Sequence, residues 1–396
     1  MKQNLFYILA VLITAFSSCD NKTAKSSVSD VQSDIVTQDS VMESSQNTPL
    51  TYMLVGTYTA GESNGIQVFR FNTETGVSEY ISEVPIENPS YLAINKTGDK
   101  VYCVSENQDY TSAVTAFQFD KESGILMLIN TIPSGGEAPC YISLDEPEKH
   151  VVVANYSGSS LSTFTLNEEG AFDPTKTEVF NFTGKSINPD RQEKPHIHCV
   201  LFSPDYKYLY ATDLGTDKIH KFNVGKDGRF LSAGEPAAFF VTQGSGPRHL
   251  TFHPNGKYAY LINELSGSIT AYDYADGNLV EKQSIQADTL NAQGSADIHV
   301  SPDGRFLYAS NRLQGDGIAI FSIDANDGKL TKIAYQATEK HPRNFAITPN
   351  GKFLLVASRD SNMIQVFAID KETGLLKNTS QDIKLSMPVC IKFTQI

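Results

Sequence analysis

A unit of roughly fifty residues recurs along this chain, and self-similarity at that period signals a solenoid, a propeller or an array of repeats. It shows in Gly98-Asp99-Lys100-Val101-Tyr102, Glu148-Lys149-His150-Val151-Val152, Tyr206-Lys207-Tyr208-Leu209-Tyr210, Gly256-Lys257-Tyr258-Ala259-Tyr260, Gly304-Arg305-Phe306-Leu307-Tyr308 and Gly351-Lys352-Phe353-Leu354-Leu355. The basic residues of these six segments are 49, 58, 50, 48 and 47 residues apart. Each unit reads as four short strands. A Pro-containing loop leads into the first, as at Pro247-Arg248-His249-Leu250, and a tight turn such as Asn255-Gly256 or Asp303-Gly304 follows. The apolar run after the basic residue is the second strand. Ile66-Gln67-Val68-Phe69, Ile269-Thr270-Ala271-Tyr272 and Ile364-Gln365-Val366-Phe367 exemplify the third, with the alternation and β-branching of strands packed on both faces. Gly-containing turns such as Thr75-Gly76 and Thr373-Gly374 lead to the fourth.

The chain ends fix the count. Tyr52–Tyr58 reads as a second strand with no first strand before it, and Met387–Phe393 as a first strand with nothing after it. Joined in one sheet, they add a shared blade to the six internal repeats and remove two open edges. The expected fold is all-β, a seven-bladed β-propeller over residues 50–396. A solenoid would need capping repeats instead. Trp is absent, so this is not the WD type of propeller.

The first residues read as a targeting segment outside the fold. Lys2 precedes an apolar run, Leu5 to Phe16, too short to span a bilayer comfortably. Phe16-Ser17-Ser18-Cys19 resembles a lipoprotein cleavage box with Cys19 as the lipidated terminus; the alternative is an ordinary secretory signal, and both imply export. Residues 20–49, rich in Ser, Thr, Asp and Gln, read as a disordered tether. The net charge of −13 argues against nucleic acid as a partner, because phosphate contact needs clustered Lys and Arg. Membrane contact is expected only through the lipid. A closed ring needs no partner, so the protein is expected to be a monomer. Cys103, Cys140, Cys199 and Cys390 have no metal-type spacing and read as small buried hydrophobes. No HExxH, Walker, Gly-x-Ser-x-Gly or EF-hand motif is present, so neither a metal nor a cofactor is expected.

Two repeat positions vary where a scaffold has no reason to vary them. The position after the repeat Pro, expected near the axis, holds Ser90, Cys140, Arg248, Ala296, Arg343 and Val389, with His198 of Pro195-His196-Ile197-His198 in register with Arg248. The end of the second strand holds Tyr58, Ser105-Glu106, Asn155-Tyr156, Thr212-Asp213, Asn263-Glu264, Asn311-Arg312 and Ser358-Arg359.

Several of these motifs together carry a resemblance. They are Pro-His-Ile-His, Gly246-Pro247-Arg248-His249-Leu250 with Phe252-His253-Pro254-Asn255-Gly256-Lys257, Asn263-Glu264-Leu265, Ser310-Asn311-Arg312 and His341-Pro342-Arg343-Asn344-Phe345. As a set they resemble the propeller-type lactonases, which include bacterial 6-phosphogluconolactonases and fungal carboxy-muconate lactonising enzymes. The resemblance implies a hydrolase or cycloisomerase of anionic lactones, with a central-cleft site of one His, two Arg and one Glu. These match His196 or His198, Arg248, Arg312 and Glu264.

From the residues themselves, Glu264 is the leading general base or else an ion-pair partner of Arg248 or Arg312. Arg248, Arg312 and Arg343 suit a carboxylate or phosphate, or else neutralise channel acids. His196 and His198 are expected to point to opposite sides, so that one faces the site and shuttles protons. Asp213 and Glu106 are lesser substrate-binding candidates, and Asp297 a weak one. His249 and His253 read as structural. The expected ligand is a small anionic lactone, typically 6-phosphogluconolactone. An export signal points instead to another acidic lactone, and a non-catalytic envelope propeller is the third reading.

Overall fold

In the computed structural model, which describes residues 50–226 and 228–394, seven antiparallel sheets form seven blades. The expected segments 1–19 and 20–49, including Cys19, lie outside the described residues.

The first blade joins the two chain ends: Pro388–Phe393 innermost, then Leu50–Thr57, Gly65–Asn72 and Ser78–Pro85. Met53 pairs with Phe393 and Val55 with Ile391, the closure read from the sequence. Thr51 Oγ1 adds a bond to the Thr394 carbonyl at 2.8 Å. The other blades run inner strand to outer strand in chain order. Blade 4, for example, is Ile197–Phe202, Tyr208–Asp213, Lys218–Val224 and Leu231–Phe240. Blade 5 is Pro247–Phe252, Tyr258–Asn263, Ser268–Ala275 and Asn278–Gln286.

Burial follows position in the blade. Tyr258–Asn263, Phe306–Asn311 and Phe353–Ser358 are second strands buried along their whole length, which is why they read as unbroken apolar runs. Outer strands such as Leu330–Ala337 alternate exposed and covered residues, as a half-solvated strand must. The core lies between blades rather than within them. Ile262, Ile269 and Ala271 of blade 5, for instance, pack with Leu307, Ala319 and Phe321 of blade 6. Buried tyrosines hook one blade to the next: Tyr102, Tyr260 and Tyr308 donate to the carbonyls of Gly170, Gly328 and Gly374. The four cysteines are buried free thiols, as their apolar contexts suggested.

Candidate active site

One irregularity, repeated around the ring, builds the site. At the start of the inner strand, pairing with the second strand skips a residue. Pro247 faces Asn263 but His249 faces Ile262, which leaves Arg248 unpaired. The same skip leaves out Cys140, His198, Arg343 and Val389 in their blades. In blade 6 it spans Ala296 and Asp297. A β-bulge bends its strand and re-aims the extra side chain. Apart from Ser90, which precedes the inner strand of its blade, the residues that the repeat placed near the axis are bulge residues.

A second ring lies one residue past each second strand. Here the backbone N–H donates to the carbonyl just ahead of the inner strand. The donors are Tyr58, Glu106, Tyr156, Leu214, Glu264, Arg312 and Arg359, and the acceptors Met387, Asn88, Ala138, His196, Gly246, Gly294 and His341. All these bonds are 2.7–3.1 Å long. Five of the acceptors hold a left-handed conformation, with φ from 44° at Asn88 to 67° at Gly246. For Asn88, Ala138, His341 and Met387 that conformation costs energy which the bond and the following proline help to hold.

The two rings meet at Glu264. Its Oε2 lies 2.8 Å from Arg248 Nε, 3.2 Å from an Arg312 terminal nitrogen and 3.9 Å from His198 Nε2. Its Oε1 accepts from Arg191 at 2.7 Å. Burial alone would raise the Glu264 pKa, but Arg312, Arg248 and Arg191 together pull it down to about 2. Of the two roles expected for Glu264, the geometry therefore favours the ion pair. A carboxylate this acidic, with both oxygens engaged, is a weak base at neutral pH. Positive charge is in surplus here. Burial, with Arg248, Arg343 and Arg359 nearby, pushes Arg312 down to about 9 against the pull of Glu264. Among the described residues Arg343 pairs ionically with Glu106 at 3.5 Å, and its guanidinium lies over the Tyr58 ring.

His198 is buried, and burial together with Arg248, His249 and Arg343 holds its pKa well below the usual histidine range. It is a neutral imidazole at pH 7. Its Nδ1 is 3.7 Å from Cys140 Sγ. The expectation that only one of His196 and His198 comes to the site is corrected: His196 precedes the strand and His198 is its bulge residue, so strand alternation does not separate them. Both rings pack on Tyr156, His196 stacked at 4.4 Å and His198 edge-on at 5.2 Å. His196 is the outer of the two and binds Glu193.

Asp213 is also corrected. As the last residue of its second strand it is fully buried and points into the blade. It accepts from the His196 and Gly215 amides, Thr216 and His220, which leaves no oxygen for a substrate. Asn155 and Asn263 occupy the same position and bond likewise to third-strand hydroxyls. Glu106 does face the mouth, paired with Arg343.

His249 is a bridge rather than a bystander. Its Nδ1 is 2.8 Å from Asp297, and its Nε2 takes a bond from Arg248 at 3.2 Å. Burial and Arg248 push it down to about 4, so it stays neutral in this bridge. Asp297, only a weak candidate from sequence, also takes His299, Asn344 and the Phe345 amide, and fixes three inner strands at the axis. His253 accepts from the Asn255 amide within its own turn and ties that turn to the Gly304 carbonyl of the next blade.

Sequence reasoning missed Arg191. It lies in the connection between Asn181 and Ile197, where one repeat spacing swells to 58 residues, and that swelling was the available signal. A cavity of about 670 Å³ opens at the opposite mouth, lined by Tyr91, Tyr141, His249, Asp297, His299 and Lys392. None of Glu264, Arg312 or His198 lines it. Among the described residues no group of three or more His, Cys, Asp or Glu side chains is placed to hold a metal.

Comparison with known proteins agrees with this architecture. The family described as "Lactonase, 7-bladed beta-propeller" matches residues 52–393. The 6-phosphogluconolactonases of Formosa agariphila and Bacillus subtilis are 44% and 38% identical, covering 84% and 86% of this chain and 96% and 97% of their own. A solved Bacteroides fragilis structure, provisionally titled a 6-phosphogluconolactonase, is 52% identical with a TM-score of 0.86, over 89% of this chain and 99% of its own. The periplasmic gluconolactonase of Pseudomonas aeruginosa is 32% identical with a TM-score of 0.82, over 88% and 99%. This coverage leads to one assignment: the chain belongs to the seven-bladed β-propeller lactonase family and is a lactonase, a carboxylic ester hydrolase.

Proposed function

We propose that this protein opens 6-phosphogluconolactone to 6-phosphogluconate at the Glu264 mouth of its channel. The observation that carries the reading is a neutral buried imidazole, His198, set 3.9 Å from a carboxylate clamped by three guanidinium groups. In this mechanism a water attacks the lactone carbonyl while His198 takes its proton. The oxyanion that forms is met by Arg248, Arg312 and Arg343, whose surplus positive charge is in place beforehand. The ring C–O bond then breaks, and the proton on His198 passes to the departing ring oxygen. Glu264 stabilises the transient imidazolium and holds the arginines in position. Negative charge arriving with the substrate offsets the guanidinium field that depresses His198, and so strengthens the base as the reaction needs it.

A second substrate reading is an unphosphorylated or otherwise anionic lactone met outside the cytosol. It is favoured by the P. aeruginosa neighbour, named a periplasmic gluconolactonase, and by the export-type sequence ending at Cys19. On either reading the protein is a monomeric envelope lipoprotein. The test is turnover of a lactone panel by wild type and Glu264→Gln. We expect fastest turnover of 6-phosphogluconolactone by wild type and loss of at least 100-fold in the variant. Decay of every lactone at the blank rate would defeat the enzyme reading. Recovery of the protein unlipidated from the cytosol would defeat the envelope placement.

A further inference from the structure

We propose that Arg191 is a specificity residue that grips the distal anion of the substrate; this rests on the lactonase reading above. The guanidinium groups around Glu264 are of two kinds. Arg248 and Arg312 come from the repeat itself, and their side chains are 1% and 7% exposed. Most of their donors are engaged with the protein, which leaves the remainder for the reacting ester. Arg248 binds Glu264, His249 and the Ala296 carbonyl, and Arg312 binds Glu264, the Gly294 carbonyl and His341. They suit the reacting ester. Arg191 comes from outside the repeat, and its side chain is 38% exposed at the mouth.

Among the described residues, one terminal nitrogen of Arg191 makes both of its side-chain bonds, to Glu264 Oε1 at 2.7 Å and to Tyr156 Oη at 3.2 Å. A guanidinium has five N–H donors, so Nε and the other terminal nitrogen can take a second anion without releasing Glu264. Two bonds to an exposed phosphate oxygen pair would use the fork that guanidinium presents and that a lysine lacks.

The segment that delivers it is held firmly. Asn188 Oδ1 accepts from the Arg191 amide at 3.1 Å. Next to Arg191, Gln192 is fully buried and donates its side-chain amide to the Leu214 carbonyl at 2.9 Å, while its backbone bonds both Ser186 and Asn188. Ser186 is tied in turn to Asp217. Arg191 is thus a preorganised grip on a braced loop, which limits the ordering cost of binding.

The experiment measures binding of 6-phosphogluconate, glucarate and gluconate by calorimetry to the full-length wild type, Arg191→Gln and Arg191→Lys. kcat and KM are measured on 6-phosphogluconolactone and on glucono-lactone. We expect wild type to prefer 6-phosphogluconate, Arg191→Gln to lose at least 10-fold of that preference through affinity and KM, and Arg191→Lys to restore part of it. Preference for glucarate over both others would give the grip to a carboxylate instead of a phosphate and overturn the phosphate assignment. Equal weakening of all three ligands would make Arg191 only a brace for Glu264, and an unchanged preference would remove it from the site; either overturns the proposal. Because binding is read without turnover, failure of the grip is distinguishable from failure of the lactonase reading.

Discussion

His198 and Glu264 stand 3.9 Å apart, and their environments push both pKa values downward. Glu264 ends as a fixed charge and His198 as a neutral ring, so the two have different tasks although either could carry a proton in isolation. Replacing His198 with Asn removes the proposed base and keeps the polarity. kcat is expected to fall by 100-fold or more, with KM within about threefold. Retained kcat in steady-state assays would return the base role to Glu264. The sequence named both residues but put Glu264 first as the base. Ranking depends on three arginines contributed by residues 191, 248 and 312, far apart in the chain, and on burial, none of which a local motif encodes.

At the scale of elements, the inner-strand bulge turns a sequence repeat into a site. The repeat Pro and the residue after it were legible because they recur. That the residue is aimed at the axis follows from a skipped pairing, which is a property of two strands together. The braced connection carrying Arg191 belongs to no repeat and was legible only as excess length. It rests directly on Gly215, where an added Cβ would sit 1.8 Å from the Lys194 carbonyl oxygen. Backbone must move to relieve such a clash. Gly215→Ala is expected to cost about 1–3 kcal/mol of stability and to weaken 6-phosphogluconate binding by shifting Arg191. Chemical denaturation and calorimetry on the same protein check both effects. Wild-type affinity in a destabilised variant would separate the brace from the grip.

For the whole molecule, closure and acid response are collective. Val389, Cys390 and Ile391 are buried in the strand that seals blade 1. Burial of one aliphatic side chain contributes roughly 1.5–3 kcal/mol, so deleting 388–396 removes a large part of a typical domain's stability and opens a sheet edge. The truncated chain is expected to be aggregated or unfolded by circular dichroism and size-exclusion chromatography. The acid response follows from the buried groups. His249 and His341 titrate near 6.5 when unfolded but are pushed down to about 4 and about 3 in the fold, chiefly by burial. His198 is lowered as well. Below pH 6.5 the unfolded chain therefore binds more protons than the folded one. Their contribution is complete above pH 6.5 and is lost as pH falls through the folded values, with His249 alone accounting for about 3 kcal/mol. Glu264 adds a further loss between its ordinary 4.5 and about 2. Melting temperature is expected to be level just above pH 7 and to drop progressively below 6.5, with an anionic ligand such as 6-phosphogluconate raising it at neutral pH. A flat profile down to pH 4 would contradict the buried neutral histidines.

The sequence by itself determined the blade count, the split blade and the two variable positions. Each rests on a period, and a period survives in one dimension. It also fixed the burial of the second strands, whose unbroken apolar runs leave no solvent-facing side. The tertiary structure alone decided that Asp213 is consumed inside its blade, that His196 and His198 both pack on Tyr156, and that Arg191 joins Arg248 and Arg312 on a single carboxylate. Those outcomes depend on distances between residues brought together by ring closure, and on fields summed over several buried charges. Such quantities have no value until the chain is folded.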